Sequence, residues 1–269
     1  MHPVATLTIG IPFYARSQPD DMKVAIDSIL NQTYPPQCVH LVQDGLVPDA
    51  VAHLVADYVA ADARIVHLLV ERHMGVAYCL NYSILHCTTE YYGRMDADDY
   101  SAPTRLEKEV NYLEEHPDID IVGTWAYEYD SQPDEQDLLL RKEPLTYAEI
   151  ADTFHYRAPL IHASVVYRLT VFANIGLYNP NSRFDEDTYL WGCALTRKVG
   201  IANIPEPLYY IGIHGQMARR AHFRVVLEES YNKLRIPTSS PKLNMLKWAS
   251  IAYRLLPAGL RTMIYKRVR

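Results

Sequence analysis

The sequence predicts an α/β fold, in which helices sandwich a mixed, mostly parallel β-sheet. Throughout the first half of the chain, runs rich in β-branched residues alternate with segments whose apolar residues recur at helical spacing. Several strand-like runs end in Pro, Gly or Asp, which stop a strand and begin a loop. The 269 residues are 49% apolar and 22% charged, enough for a sizeable core, so one large domain or two closely packed lobes are expected.

The first strand is expected over 4–11, a β-branched run that ends at Pro12. Asp20 and Asp21 are possible caps of the helix that follows. Its apolar residues repeat at helical spacing: Met22, Ala25, Ile26, Ile29 and Leu30. The alternation then continues with strands at 39–43, 64–70 and 91–95 and with helices at about 48–61 and 75–86.

Beyond the fourth strand the pattern is less regular. A helix is predicted over 103–116 and a strand over 119–127, and the acidic stretch 130–137 is expected to be an exposed loop. The remaining predicted elements are a strand at 165–168, a helix at 186–198 and an extended segment at 201–213 that Pro205 and Pro207 interrupt. The chain contains no internal repeat.

Charge is distributed unevenly along the chain. The net charge is −6, yet the last 28 residues, from Lys242 onward, contain seven Lys or Arg and no Asp or Glu, so residues 1–241 carry −13. An acidic body is a poor nucleic-acid binder, whereas the basic end could approach an anionic surface. The four cysteines form no C-x-x-C pair, which suits a reducing compartment and offers no zinc site. Neither a signal peptide nor a run of about 18 apolar residues is found, so a cytoplasmic protein is expected.

An acidic cluster, Asp96-Ala97-Asp98-Asp99, directly follows the fourth predicted strand. In an open parallel sheet, ligands bind beyond the carboxyl ends of the strands, so these carboxylates would lie at a ligand site. Such oxygens suit Mg²⁺ or Mn²⁺, which binds phosphate at the same time and offsets the charge on a departing diphosphate. The alternative is a solvated acidic turn, the commoner fate of a short Asp cluster.

Several motifs occur in the order of one known family: 8–14 (TIGIPFY), 28–34 (SILNQTY), 42–45 (VQDG), 75–81 (GVAYCLN), 94–99 (RMDADD), 103–106 (PTRL) and 186–191 (EDTYLW). With them the chain resembles the family 2 glycosyltransferases, whose GT-A fold is a Rossmann-like α/β/α sandwich. The resemblance covers residues 5–215. It implies a nucleotide-sugar-binding half, 1–99, and an acceptor-binding half, 100–215, of one domain. A C-terminal helical extension with a basic amphipathic tail, 216–269, would follow.

The resemblance also implies an activity. It is the inverting, metal-dependent transfer of a hexose or N-acetylhexosamine from a UDP-sugar to a hydroxyl of a glycan or lipid-linked acceptor, in the synthesis of cell-surface polysaccharide or glycolipid. The chain has no Q-x-x-R-W motif and no membrane span, which favours addition of a single sugar over processive synthesis. Departures from the family pattern occur at four positions: Gln43, Leu46, His73 and Cys193. The first two leave the details of the base site open.

By the same resemblance, six residues would contact the donor: Pro12, Tyr14, Asp44, Arg72, Asn81 and Asp96. The ring of Tyr14 could stack on uracil and the carboxylate of Asp44 could accept the ring N–H, the alternatives being a buried core tyrosine and a simple Asp-Gly turn. Arg72 could reach a phosphate or be an exposed arginine at a strand end. Asp98 would bind Mn²⁺ or Mg²⁺, and His214 could complete the metal shell.

Asp187 is the candidate general base, which would remove the proton of the attacking hydroxyl in a single displacement that inverts the anomeric centre. It lies in the run 185–187 (DED) at a predicted helix start, where the helix dipole favours carboxylates whether or not they do chemistry. The candidates for the acceptor side are His162, Glu186 and Trp191. The alternatives are that the histidine is a satisfied core residue and that the tryptophan packs in the core.

The C-terminal tail has a basic pattern of its own. Lys247, Arg254 and Arg261 are seven residues apart and would share one stripe of a helix, which Pro257 would kink or split. A basic amphipathic helix can lie in the headgroup region of an anionic membrane, which would place the protein peripherally at the inner face of the membrane. The alternative is a helix that packs on its own body or on a partner subunit, as in a homo-oligomer, with its charges in water.

Two other functions are open to a chain of this type. A sugar nucleotidyltransferase can share the architecture and the metal, but it would need a glycine-rich phosphate loop near the N-terminus, where residues 9–17 contain only Gly10. A non-catalytic nucleotide-sugar-binding subunit would need neither Asp98 nor Asp187, and both are present.

Overall fold

The computed structural model describes residues 5–129, 138–182, 185–212 and 223–256. Its strands are β1 (Leu7–Tyr14), β2 (Cys38–Asp44), β3 (Ile65–Val70), β4 (Tyr91–Arg94), β5 (Tyr100–Ser101), β6 (Ile121–Tyr129), β7 (Leu139–Arg141), β8 (Val166–Arg168) and β9 (Ile201–Gly212). Its helices are α1 (Pro19–Leu30), α2 (Asp49–Ala61), α3 (Val76–Leu85), α4 (Arg105–Glu115), α5 (Tyr147–Phe154), α6 (Val171–Ile175), α7 (Glu186–Thr196), α8 (Phe223–Leu234) and α9 (Pro241–Leu255). The predicted loop 130–137 lies outside the described residues.

One mixed sheet contains all nine strands of the described chain, in the order β3-β2-β1-β4-β8-β6-β9-β5, with β7 paired to β6. The strands β3, β2, β1 and β4 are parallel, as crossover connections through α1, α2 and α3 require. The strand β8 is antiparallel to both β4 and β6, and β6 pairs in parallel with β9. Six of these nine strands therefore run in one direction, which confirms the predicted α/β fold with a mixed, mostly parallel sheet.

Helices cover both faces of the parallel strands. Ile9 and Ile11 of β1 are fully buried in one apolar cluster with residues of α1, α2 and α4. On the opposite face, α3 approaches so closely that a Cβ added to Gly10 would collide with Tyr92 and Ser83. A second buried cluster on that side joins α3 to α5 and α7. The core therefore lies on both faces of the sheet, which leaves the strand ends free to form a site.

The ladder between β6 and β9 is interrupted where the sequence predicts it. Thr124 pairs with Ile204, but the next residue, Trp125, pairs with Pro207. The register shifts here because proline has no N–H to donate to a neighbouring strand.

The sequence pattern does not predict β7, α5 or α6, all of which are short. Nevertheless α5 begins with a capping box, in which the Thr146 hydroxyl accepts from the N–H of Glu149 while the Glu149 carboxylate accepts from the N–H of Thr146. The Thr-x-x-Glu spacing was a signal for this helix.

The helices α8 and α9 confirm the predicted C-terminal helical region. Among the described residues no helix is both long and apolar enough to span a bilayer.

Candidate active site

The carboxyl ends of β1, β2 and β3 lie side by side at one edge of the sheet. Tyr14 is in register with Asp44, and Asp44 is in register with Val70. The end of β4 lies next to them, because the N–H of Met95 donates to a carbonyl of β1 at 3.1 Å. The acidic segment 96–99 therefore starts at this same edge, where open α/β sheets bind ligands.

Three carboxylates come together at this edge, those of Asp96, Asp98 and Asp99. One oxygen atom from each lies within 4.8 Å of those from the other two. Asp98 is exposed, Asp96 is partly exposed and Asp99 is buried. The Asp99 carboxylate accepts a hydrogen bond of 3.0 Å from the N–H of Gly212, which ties the cluster to the end of β9.

The chemistry of this cluster fits a divalent cation. Burial, together with repulsion from Asp96 and Asp98, raises the pKa of Asp99 well above its ordinary value. A cation would offset that repulsion, and clustered carboxylate oxygens are the ligands that Mg²⁺ and Mn²⁺ prefer. His214, the other predicted metal ligand, lies outside the described residues.

Arg94, at the end of β4, is a buried cation that the sequence analysis missed. Its guanidinium forms an ion pair with the Asp96 carboxylate, and its side chain is only 4% exposed. Burial disfavours the charged form, but the surrounding acidic groups, Asp96 foremost and Glu186 among them, raise the pKa of Arg94 above its ordinary value. A signal was available: an arginine within a short run of otherwise apolar residues (YYGRM) is rarely buried unless it is paired.

Asp44 anchors the loop that follows β3. Its carboxylate accepts hydrogen bonds from the N–H groups of Met74 (2.6 Å) and Gly75 (2.9 Å), and His73 Nδ1 lies 2.8 Å away. Gly45 has a φ of +76°, and a Cβ there would lie 2.9 Å from the backbone nitrogen of His73, so glycine permits this close approach. The structure thus gives Asp44 an anchoring role, and its contact with a base stays a prediction.

Tyr14 stacks on His73, with ring centroids 6.1 Å apart and an interplanar angle of 23°. Tyr14 is half-buried and His73 is exposed, so Tyr14 is not a fully buried core tyrosine. Arg72 is exposed just beyond β3, and Pro12 is half-buried within β1. All four lie towards the edge that carries Asp44, and the donor contacts of Tyr14, Arg72 and Pro12 stay predictions.

Asn81 joins α3 to the segment before α7. Its Nδ2 donates to the carbonyl of Tyr178 and its Oδ1 accepts from the N–H of the same residue, both at 2.9 Å, and its side chain is buried. Both polar atoms bind backbone, so the structure gives Asn81 a bracing role, and its contact with the donor stays a prediction.

His162 lies between Tyr178 and the start of α7. Its Nε2 is 2.8 Å from the Tyr178 hydroxyl, which also bonds to the Tyr167 hydroxyl at 2.9 Å. Its Nδ1 is 3.8 Å from the Glu186 carboxylate. Burial and the charge of Arg94 lower the pKa of His162 well below its ordinary value, so the ring is neutral at physiological pH. His162 is therefore a buried histidine beside the predicted acceptor-side residue Glu186, and its own place on the acceptor side stays a prediction.

Three consecutive acids lie at the start of α7. The carboxylate of Asp185 is buried and accepts hydrogen bonds from Thr188 Oγ1 (2.7 Å) and from Asn232 Nδ2 of α8 (2.9 Å). Burial, followed by repulsion from Asp187, raises the pKa of Glu186 to about 7. Asp187 is half-buried and accepts a hydrogen bond from the N–H of Thr188 at 2.8 Å. Asp185 thus fixes the helix start next to the predicted base.

The start of α7 and the acidic cluster after β4 interact electrostatically. The negative charge of Asp96 contributes to the raised pKa of Glu186, whereas the positive charge of Arg94 opposes it. The structure therefore brings the predicted donor-side and acceptor-side acids close enough to interact, and both interact with the same buried guanidinium, that of Arg94.

Trp191, predicted on the acceptor side, lies in the core. It is 0% exposed and packs against the rings of His162 and Tyr167. A platform for an acceptor has to be accessible, so the structure favours the core alternative for this residue.

Lys233 of α8 is a second buried cation that the sequence analysis missed. It is 1% exposed and forms an ion pair with Glu229 at 3.0 Å. Burial lowers the pKa of Lys233 to about 8, while the charges of Asp185 and Asp187 raise it. The lysine therefore lies near the acids at the start of α7. It was missed because α8 is outside every motif that carried the family resemblance.

Two of the three residues of the basic stripe predicted for the C-terminal tail face the body of the protein. Lys247 is 3% exposed and donates to the carbonyl of Ile236 at 2.7 Å. Arg254 pairs with Glu229 of α8. The helix α9 thus packs on the body, as in the alternative, but these two charges bind acceptors there and are not in water. Arg261 lies outside the described residues.

The chain is similar to known proteins over most of its length. Residues 8–176 match the family model described as glycosyl transferase family 2. An uncharacterized glycosyltransferase of Haemophilus influenzae is 30% identical over 215 residues, which are 79% of this chain and 78% of that protein. The UDP-Gal:alpha-D-GlcNAc-diphosphoundecaprenol beta-1,3-galactosyltransferase of Escherichia coli is 24% identical over 269 residues, 97% of this chain and 95% of that protein.

Solved structures share the fold. A TarS 1-349 structure from S. aureus in complex with UDP-GlcNAc has a TM-score of 0.67 at 16% identity, over 93% of this chain and 72% of that one. Against a longer TarS chain, the match spans 43% of its length. The mannosyltransferase PcManGT of Pyrobaculum calidifontis, in complex with GDP-Man and Mn²⁺, has a TM-score of 0.66 at 17% identity, over 97% of this chain and 72% of that one. The fold is GT-A, and the family model covers well over half of the sequence, so this chain belongs to glycosyl transferase family 2.

Proposed function

We propose that this glycosyltransferase transfers a hexose or N-acetylhexosamine, with inversion, from a UDP-sugar to a hydroxyl of a glycan or lipid-linked acceptor. The observation that carries the proposal is the cluster of Asp96, Asp98 and Asp99, whose oxygens lie within 4.8 Å of one another. The cluster begins at the same strand edge as Tyr14 and Asp44, and it interacts with Glu186 at the start of α7.

Asp98 is the exposed member of the cluster, and it is the residue proposed to bind Mn²⁺ or Mg²⁺, with Asp99 behind it and His214 as a further ligand. Such a cation supplies charge stabilisation to the departing diphosphate. The mannosyltransferase neighbour was solved with Mn²⁺, which supports a metal of this kind. Asp96, held by Arg94, faces hydroxyls of the ribose or the sugar in this proposal.

The donor site is proposed to use the edge formed by β1, β2 and β3. Tyr14 and Asp44 would bind the base, and Arg72, just beyond β3, would reach a phosphate. A UDP-sugar is favoured because a structural neighbour holds UDP-GlcNAc and a full-length relative is named for UDP-Gal. Another neighbour holds GDP-Man, so the choice of base depends on details of this pocket.

Asp187 is proposed as the general base. It is half-buried at the amino end of α7, and Asp185 beside it is held in place by Thr188 and Asn232. One base suffices for an in-line displacement, because the attacking oxygen comes from the acceptor and no enzyme nucleophile is needed. Such a displacement inverts the anomeric carbon.

The acceptor is proposed to be a glycan or a lipid-linked sugar, as the name of the Escherichia coli relative suggests. A protein that uses such an acceptor would work in the cytoplasm at the inner face of the membrane. Residues 1–99 would bind the donor, and 100–215 would bind the acceptor. The extension 216–269 would support both, since Asn232 of α8 contacts Asp185.

The test is metal-dependent hydrolysis of a panel of nucleotide sugars. We expect slow release of UDP with Mn²⁺ or Mg²⁺, and we expect EDTA or the variant Asp98→Ala to abolish it. Asp57→Ala removes an exposed carboxylate of α2 and serves as the matched control. Nucleotide sugars that bind equally well without metal, or full release by Asp98→Ala, would refute the metal role. Binding without release under any acceptor would instead indicate a non-catalytic subunit.

A further inference from the structure

The helix α9 turns two of its three basic side chains towards the body of the protein. Lys247 is buried against the Ile236 carbonyl and Arg254 pairs with Glu229, whereas Lys242 is exposed. Polar side chains normally lie on the solvent face of a surface helix and apolar ones on the inner face. The outward face of α9 therefore needs an explanation of its own.

That outer face of α9 is an apolar stripe, made of residues at helical spacing: Met245, Trp248, Ala249, Ala252 and Leu255. Met245 is 65% exposed, Trp248 is 58% exposed and Leu255 is 56% exposed. A row of exposed large apolar side chains along about three turns differs from the scattered single residues that are normal on a surface.

The neighbouring helix α8 has the same property. Leu227, Tyr231 and Leu234 follow each other at intervals of four and three residues, and each is at least 45% exposed. Of the fifteen large apolar residues that are exposed in the described chain, six lie in these two helices. These two helices therefore expose more large apolar side chains for their length than the rest of the described chain does.

Charge distinguishes between the two partners that could cover this face. From Lys242 to the last residue the sequence has seven basic and no acidic residues. Lys247 and Arg254 bind within the body, which leaves five, and of these Lys242 is exposed at the start of α9. In a two-fold contact with a second copy, this basic end would meet its own like charges. An anionic lipid surface offers the opposite charge together with an apolar layer, and tryptophan is favoured at that boundary.

We infer that the outer face of α9 docks the protein on an anionic lipid surface, with Trp248 and Met245 entering the boundary between headgroups and acyl chains. The inference deepens the proposed function and rests on it, because a lipid-linked acceptor is the reason for this protein to approach a membrane. It assigns the contact to these apolar residues and to Lys242 at the start of α9, in place of Lys247 and Arg254.

The test is partition of the full chain onto vesicles of phosphatidylcholine alone and of phosphatidylcholine mixed with phosphatidylglycerol. We expect binding to the anionic vesicles, weakened by high salt and reduced on the order of tenfold or more by Met245→Gln with Trp248→Gln. The matched control is Val24→Gln with Leu85→Gln, two exposed apolar residues on other helices, which should bind as the natural chain does. Donor hydrolysis, measured on the same samples without lipid, should be equal in all of them.

Fluorescence gives an independent reading. Of the three tryptophans, Trp191 is buried and Trp125 is half-buried, so vesicles with brominated acyl chains should quench mainly Trp248. The variant Trp248→Phe keeps the apolar face, and it should bind but lose that quenching. Vesicle binding that survives the Met245 and Trp248 substitutions would overturn the inference. So would a chain that ignores anionic vesicles but forms a dimer that these substitutions dissociate. If hydrolysis fails while lipid binding persists, the proposed function fails and the docking surface stands.

Discussion

Three neighbouring acids at residues 185–187 have three different environments, and this difference separates their roles. Asp185 is buried, with hydrogen bonds to Thr188 and Asn232, and Glu186 has a pKa raised to about 7 by burial. Asp187 is half-buried and has a short hydrogen bond to the backbone of Thr188. The helix dipole favours all three carboxylates, so local structure alone does not identify the base.

Replacing Asp187 with Asn tests its role directly. The amide keeps the shape of the side chain but cannot accept the proton of the acceptor hydroxyl. We expect the transfer rate to fall by about 10²–10⁴, the range for loss of a general base, while donor binding is retained. Transfer kinetics and calorimetry with the nucleotide sugar measure the two effects, and Asp152→Asn is a control on an exposed carboxylate. Unchanged transfer would remove Asp187 from the mechanism.

Glu109 of α4 gives a prediction about stability that does not involve the active site. It is 0% exposed, and burial raises its pKa to about 8, although Arg105 lies 3.9 Å away and opposes the shift. The folded chain therefore keeps the Glu109 carboxyl protonated at a pH where the unfolded chain has lost that proton. The contribution of Glu109 to the free energy of unfolding is fully present below about pH 4.5 and is lost as the pH rises towards 8.

The variant Glu109→Gln should flatten this pH dependence. One pKa unit corresponds to about 1.4 kcal/mol, so the natural chain should lose several kcal/mol more than the variant between the two ends of the range. Urea unfolding at a series of pH values measures the slope, and Glu115→Gln, in the same helix but exposed, is the control. Parallel slopes for the natural chain and Glu109→Gln would contradict the assignment.

At the scale of elements, α8 supports the start of α7. Asn232 binds Asp185 directly, and Lys233 places a positive charge near Asp185 and Asp187. The helix is itself held by α9 through the pair of Arg254 with Glu229. The C-terminal extension is therefore connected by successive contacts to the proposed base.

The variant Lys233→Gln should shift the pH profile of transfer. Loss of a cation near carboxylates favours their protonated forms, so the acidic limb should move to higher pH. Metal-dependent donor hydrolysis at neutral pH should change much less, because the carboxylates that act on Lys233 are those of Asp185 and Asp187 at the start of α7. The profile of kcat/KM against pH measures the shift, with Lys242→Gln as the control on an exposed lysine. An unchanged acidic limb would leave Lys233 with a packing role alone.

Elements with a clear apolar period were predictable, and the rest were not. The alternation of strands and helices from β1 to β4 follows from the spacing of apolar residues and from the turn residues between the elements. Each of these elements packs against, or belongs to, a common sheet. The short elements β7, α5 and α6 have too few residues for a period to show. The inward direction of Lys247 and Arg254 was also hidden, because a helical stripe gives no information about which side meets the body.

The site was predictable only in part for a similar reason. The sequence places Asp96 and Asp98 after a strand, and the parallel sheet then brings them to the edge that carries Asp44. Arg94 and Lys233 were missed because their importance comes from partners distant in sequence, which no spacing reveals. The bracing role of Asn81 depends likewise on a contact with Tyr178, 97 residues away.

At the scale of the whole molecule, one continuous sheet connects the parts of the site. The parallel strands carry the proposed donor edge, and β8 links them to β6 and β9. The last residue of β9, Gly212, returns to bind Asp99 of the acidic cluster. The proposed donor and acceptor halves thus share one sheet. A hinge motion between the two halves would have to bend that sheet.

The buried guanidinium of Arg94 has a consequence for engineering and for recombination between relatives. It belongs to the amino-terminal half, pairs with Asp96 there, and feels the charge of Glu186 from the other half. In a chimera, the second half could come from a relative with a neutral or basic side chain in place of Glu186. The buried Arg94 guanidinium would then have less negative charge around it. Grafting that aims to exchange sugar or acceptor preference would therefore have to transfer Arg94 and Glu186 together.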